Sequence, residues 1–223
     1  MALDRTKLDP KMGELVHRYL VENGVETPMS GIPCTFTDEE RRNIIEQHFR
    51  EIMGTLGLDL KDDSLAETPK RIAKMYINEI FWGLDYNNFP KVTTIENKMQ
   101  YTTMLLEKDI SVKSQCEHHF LPFIGKAYVA YLPNTKIIGL SKINRVVEFF
   151  SRRPQVQERL TEQVFHALCY ILDTDDVAVC IKSEHTCVKL RGVEDNSDTI
   201  TSRLGGGFYD GALRSEFYHL IGV

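Results

Sequence analysis

The sequence predicts an α+β fold in which helices come first and an antiparallel sheet, interrupted by two helices, follows. Two observations predict it. Over the first 85 residues apolar side chains recur at helical spacing, and beyond them β-branched and aromatic runs alternate with turn residues in the order β-β-α-α-β-β. The expected division is a helical extension over 1–85 and a sheet-bearing domain over 86–223.

Met12, Leu15, Val16, Tyr19 and Leu20 place a first helix over 9–24, with Gly24 as its stop. A connector from Pro28 to Pro33 leads to Thr37-Asp-Glu-Glu40, a capping-box pattern. Ile44, Ile45, Phe49, Ile52, Met53 and Leu56 then share one face of a second helix. Asp63 or Ser64 caps an expected third helix carrying Ile72, Met75, Tyr76 and Ile80, which Gly83 ends. Strands are expected at Val92–Glu96, Met104–Lys113 and Ile124–Leu132. Ile143, Val146, Val147 and Phe150 mark a short helix broken at Arg152-Arg153-Pro154. Pro154 is expected to open the next helix, which runs to about residue 173. Two closing strands are placed at Val177–Lys182 and Thr199–Leu204.

With 42% apolar and 26% charged residues in 223, the chain has globular proportions, which excludes a disordered tail, a coiled coil and a disulfide knot. A net charge of −5 argues against a general nucleic-acid or anionic-membrane surface, yet leaves room for a small anion held by local basic residues. No apolar run approaches the roughly 18 residues a bilayer demands, and Met1–Lys7 lacks the apolar segment of a secretory signal, so a soluble cytoplasmic protein is expected. Five cysteines in a reducing compartment point to metal binding or burial; Cys169 and Cys180 fit core burial.

The densest chemical signal is Cys116-Glu117-His118-His119, where a thiolate and an imidazole three residues apart suit one soft metal ion. Alone this spacing is weak, and a buried thiol beside surface imidazoles is the commoner reading. His185-Thr186-Cys187, directly after an expected strand, supplies a second half. Three protein ligands would leave one position open, the arrangement that makes a bound water nucleophilic near neutral pH. His118 and His185 are candidates to donate a proton. Gly139-Leu140-Ser141-Lys142 offers a hydroxyl, an ammonium and helix-end N–H groups that suit a phosphate, although Ser141 as a plain helix cap is the commoner reading. Arg191 adds a planar fork. Gln157 and Glu158 stand in a first helical turn, where an acid needs no function; against a purine, a carboxylate complements the adjacent N1–H and exocyclic amine of guanine.

Together these segments resemble the GTP cyclohydrolase I family, through Asp63–Met75, Ser114–His119, Ile138–Arg145, Arg153–Leu160 and His185–Gly192, from about residue 38 to residue 207. The resemblance implies Zn2+ at Cys116, His119 and Cys187, and water activated by that zinc adding to C8 of GTP. Ring opening, release of formate, ribose rearrangement and reclosure give 7,8-dihydroneopterin triphosphate, the first step of pterin and folate biosynthesis. It further implies that His185 protonates N7, that His118 assists proton transfer, and that Glu158 with Gln157 reads guanine. Ser141, Lys142, Arg145 and Arg191, with Leu140 in the same segment, fall at ribose and triphosphate positions. The implied fold is the tunnelling fold: a four-stranded antiparallel sheet with two helices on one face, behind a helical N-terminal extension. Two stacked pentamers with active sites between subunits are implied as well. Competing readings are a zinc deaminase, whose Pro-Cys-x-x-Cys signature is absent; a nitrile reductase of the same fold, which both metal halves disfavour; and a non-catalytic zinc-stabilised scaffold, which need not have kept Glu158 or the extra histidines.

Overall fold

The computed structural model describes residues 3–31 and 34–222. The last two positions of the expected connector, Ile32 and Pro33, lie outside the described residues. Packing groups the chain into two units, one made of the described residues of Met1–Leu3 and Pro28–Trp82, the other of Asp4–Thr27 and Gly83–Val223. The sequence boundary at residue 85 follows a change of secondary structure, whereas packing assigns the first helix to the sheet-bearing unit.

That helix, α1 (Pro10–Glu22), starts where Asp9 accepts a hydrogen bond from the Met12 amide at 3.0 Å. In the smaller unit the expected capping box opens α2 (Asp38–Thr55): Glu40 accepts from the Thr37 amide at 2.7 Å, and Thr37 Oγ1 accepts from the Glu40 amide at 3.2 Å. Its apolar stripe is only partly covered, for Met53 is buried while Ile52 and Leu56 are 50% and 71% exposed. The third helix, α3 (Thr68–Met75), begins later than expected. Asp62 accepts from the Ser64 amide and holds a turn there, and Pro69, lacking an N–H, suits the first helical turn instead.

In the larger unit β1 (Thr94–Glu96) pairs with β4 (Lys136–Ile138), a strand the sequence pattern did not reveal. The main sheet runs β5-β2-β3-β6-β7, built from β2 (Leu105–Cys116), β3 (Pro122–Tyr131), β5 (Pro154–Gln155), β6 (Val177–His185) and β7 (Asp198–Leu204). Four of these strands are antiparallel, as the expected fold requires; two-residue β5 adds a parallel edge beside the end of β2. Pro154 therefore sits in that edge strand and does not open a helix.

Two helices, α4 (Leu140–Ser151) and α5 (Gln157–Leu172), pack together and against β2, β6 and β7. Val177, Val179 and Ile181 of β6 are fully buried, matching the face assigned from their alternation. The alternate residues are buried too: Tyr128, Ala130, Ala178 and Cys180 pack with Phe208, Phe217 and Ile221. A C-terminal helix, α7 (Gly211–Ile221), provides that second cover and was not foreseen, although Asp210 as its cap and Gly222 as its stop were readable. Cys169 and Cys180 are buried as expected, and Cys34 is exposed.

Arg153, 1% exposed, ties down the link between α4 and α5. Its guanidinium donates to Glu26 at 3.1 Å, to Thr27 at 3.2 Å and to the Gly83 carbonyl, and lies against the rings of Tyr86, Phe149 and Phe150. Its Nε has no hydrogen-bond partner among the described residues, so these bonds, the Glu26 charge and the three rings together offset the cost of burying the cation.

Candidate metal and substrate site

One end of the sheet gathers the chemistry. β2 ends on Cys116, and the chain reverses in a tight turn in which the Cys116 carbonyl accepts from the Phe120 amide at 2.8 Å. Phe120 takes the left-handed φ of 51° that closes this turn. Across the sheet, pairing of β3 with β6 sets Phe123 opposite His185. Immediately afterwards the short helical segment α6 (Thr186–Lys189) begins, anchored by Thr186 Oγ1 donating to the Pro122 carbonyl at 2.5 Å. Register and this anchor bring Cys187 beside Cys116.

The ligand atoms of Cys116, His119 and Cys187 all lie within 4.8 Å of one another. Cys116 Sγ to His119 Nδ1 is 3.8 Å. Tetrahedral zinc with Zn–S of about 2.3 Å and Zn–N of about 2.0–2.1 Å separates its ligand atoms by roughly 3.5–3.8 Å, so small adjustments suffice. The donor chemistry agrees. Burial, together with the adjoining Cys116 sulfur, pushes the Cys187 thiol up, while Arg191 pulls the other way. A dication offsets the repulsion between two neighbouring thiolates and stabilises both. Among the described residues these three make the group suited to a metal ion. His118 Nδ1 is also 3.8 Å from Cys116 Sγ but stands outside that group.

His185 lies against Phe123 with ring centroids 4.6 Å apart and planes 14° apart. Burial pushes its imidazole down from the ordinary value, and the Glu158 carboxylate opposes that shift. Glu158, exposed in the first turn of α5, therefore faces the same region as His185. Gln157, the other expected guanine contact, is buried, and its amide is engaged by protein groups, His185 Nε2 among them at 2.8 Å.

Four of the phosphate-type residues lie on α4. Leu140, Ser141, Lys142 and Arg145 occupy the first turns of α4, and none makes a hydrogen bond or ion pair with the metal-binding group among the described residues. Gly139 is the N-cap, so Ser141 is released from the capping role that was its commoner reading. Arg145 keeps one guanidinium nitrogen buried without a partner. Arg191 is exposed beyond α6, close enough for its charge to act on Cys187.

Three supporting residues escaped the sequence reading. Arg159 grips Glu117 with both guanidinium ends, the longer bond 3.4 Å, and the Gln155 carbonyl accepts from the Glu117 amide at 3.0 Å. Ser183 Oγ donates to Gln157 Oε1. Residues two apart on a strand share a face, so Ser183 beside His185 was readable; the reach from Arg159 to Glu117 depends on tertiary packing and was not.

A family described as GTP cyclohydrolase I matches residues 45–222. A GTP cyclohydrolase 1 of Shewanella amazonensis is 59% identical over 206 residues, covering 92% of this chain and 94% of that protein. One of Vibrio campbellii is 58% identical over 208 residues, covering 92% and 95%. A dihydroneopterin aldolase crystal structure from a Burkholderia species, bound to guanine, gives a TM-score of 0.33 at 13% identity, over 49% of this chain and 97% of that one, too remote to bear on the fold.

Proposed function

The chain belongs to the GTP cyclohydrolase I family, an enzyme family at the entry to folate and pterin biosynthesis, and we propose that its site acts through Zn2+ held by Cys116, His119 and Cys187. The substrate is GTP; the products are formate and 7,8-dihydroneopterin triphosphate. The observation that carries the reading is the convergence of these three ligand atoms at the sheet end that also holds His185 and Glu158.

When bound, the ion supplies Lewis-acid activation of a water for addition to C8 of the purine. The remaining work falls to the chain. Glu158 accepts hydrogen bonds from N1–H and the 2-amino group of guanine, which also rejects adenine. His185 delivers a proton to N7 as C8 is attacked, and His118, adjoining the ligand set, carries protons during hydrolysis of the formamide. Ser141, Lys142 and Arg145, with the free N–H groups of the α4 terminus beside Leu140, take the triphosphate, and Arg191 adds a further cation. As the family resemblance implies, these residues serve a site completed by an adjacent copy. We place them in a homo-oligomer, two stacked pentamers as the family resemblance implies, located in the cytoplasm. No helix among the described residues is long and apolar enough to cross a membrane.

The test is direct. Purified protein incubated with GTP should release formate and, after oxidation, yield a fluorescent pterin; absence of both rejects the proposed reaction.

A further inference from the structure

We propose that Gln157 is a positioning residue which orients His185 and fixes Nδ1 as the nitrogen available for chemistry. This deepens the reading above and rests on it for the role of His185. Gln157 is 1% exposed, on the first turn of α5. Its Nε2 lies 3.0 Å from the Ile181 carbonyl, 3.0 Å from the Thr199 carbonyl and 3.2 Å from Thr201 Oγ1. Carbonyl oxygens only accept, so the amide nitrogen must face them; the reversed amide would set oxygen against oxygen twice.

That choice determines the other end. Oε1 accepts from Ser183 Oγ and sits 2.8 Å from His185 Nε2. An amide oxygen cannot donate, so Nε2 of the imidazole carries the hydrogen. Nδ1 has no hydrogen-bond partner among the described residues, and the stack on Phe123 limits rotation of the ring. A proton passed by His185 therefore travels through Nδ1. Both N–H groups and both acceptor positions of the Gln157 amide are occupied by protein, which leaves it nothing to offer a purine. The same helical turn also steadies the other half of the site, since Arg159, two residues on, holds Glu117.

The test combines kinetics with a spectroscopic signature. Gln157→Leu keeps approximate size and removes the acceptor. Its kcat should fall about 10- to 100-fold, the usual effect of losing such an orienting partner, while bound metal per chain and the affinity for GTP stay within about twofold. An unchanged kcat, or a loss of GTP affinity matching that of Glu158→Gln with kcat kept, overturns the proposal. Solid-state 15N NMR of histidine-labelled wild-type protein, with the His185 signal assigned by its absence in His185→Asn, should show a protonated Nε2 and a bare Nδ1 in the neutral ring. The opposite tautomer overturns the proposal even where the leucine variant does not fold. A wild-type protein that makes no formate from GTP, yet shows this tautomer, rejects the reaction and not the hydrogen-bond assignment.

Discussion

At His185 two neighbours act in opposite senses: burial disfavours the charged imidazole, and the Glu158 carboxylate favours it. Because the metal-binding group does not include His185, His185→Ala should keep metal bound while GTP turnover falls by a factor of 10² or more, the low end for loss of a general acid. Loss of metal in that variant, measured by atomic absorption, would move His185 into the ligand set. Glu158→Gln replaces an acceptor-only carboxylate with an amide that turns a donor toward guanine donors. GTP binding by calorimetry should weaken about tenfold or more, a cost of at least about 1.4 kcal/mol, and unchanged affinity would reject the guanine-reading role.

Strand pairing sets the distances at the level of elements. Gly125 of β3 pairs with Ser183 of β6, and a Cβ there would stand 2.1 Å from the Lys182 carbonyl oxygen and 2.5 Å from Ser183 Cβ. Neither neighbour is a flexible tip, so Gly125→Ala should cost about 1–3 kcal/mol and part β3 from β6 two residues from His185. A thermal melt matching wild type would contradict this. Elements with strong local signals were legible beforehand: the Thr37–Glu40 capping box, the alternation of β6 and the apolar period of α4 all name their own structures. The element at Pro154 was not, because a proline that suits a helix start also suits an edge strand, and only pairing with Gln115 decides between them. β4 and α7 are likewise products of packing: a three-residue strand carries no period, and α7 is defined by covering the second face of the sheet.

At the scale of the whole molecule, the metal ligands were legible as two motifs, whereas their meeting was not, since it depends on the β3–β6 register and the turn at Phe120. The α4 group was legible as a helix start carrying a hydroxyl and basic side chains, whereas its cap was not: Gly139, and not Ser141, stands at that position. Stability should also depend on pH far from the chemistry. His166 is held below its ordinary value of 6.5 chiefly by burial, with Glu162 opposing. The folded chain therefore binds that proton less readily than the unfolded chain, so stability present above about pH 6.5 is lost as the pH falls below it. The drop in Tm from about pH 7.5 to about pH 5.5 should be smaller in His166→Gln than in wild type; equal drops would contradict this.

X-ray absorption at the zinc edge tests the proposed metal site most directly. Two sulfur scatterers and one imidazole nitrogen, with a remaining light atom from solvent and loss of one sulfur in Cys187→Ser, is the predicted result. A single sulfur, or a fourth protein ligand closing the shell, would contradict it.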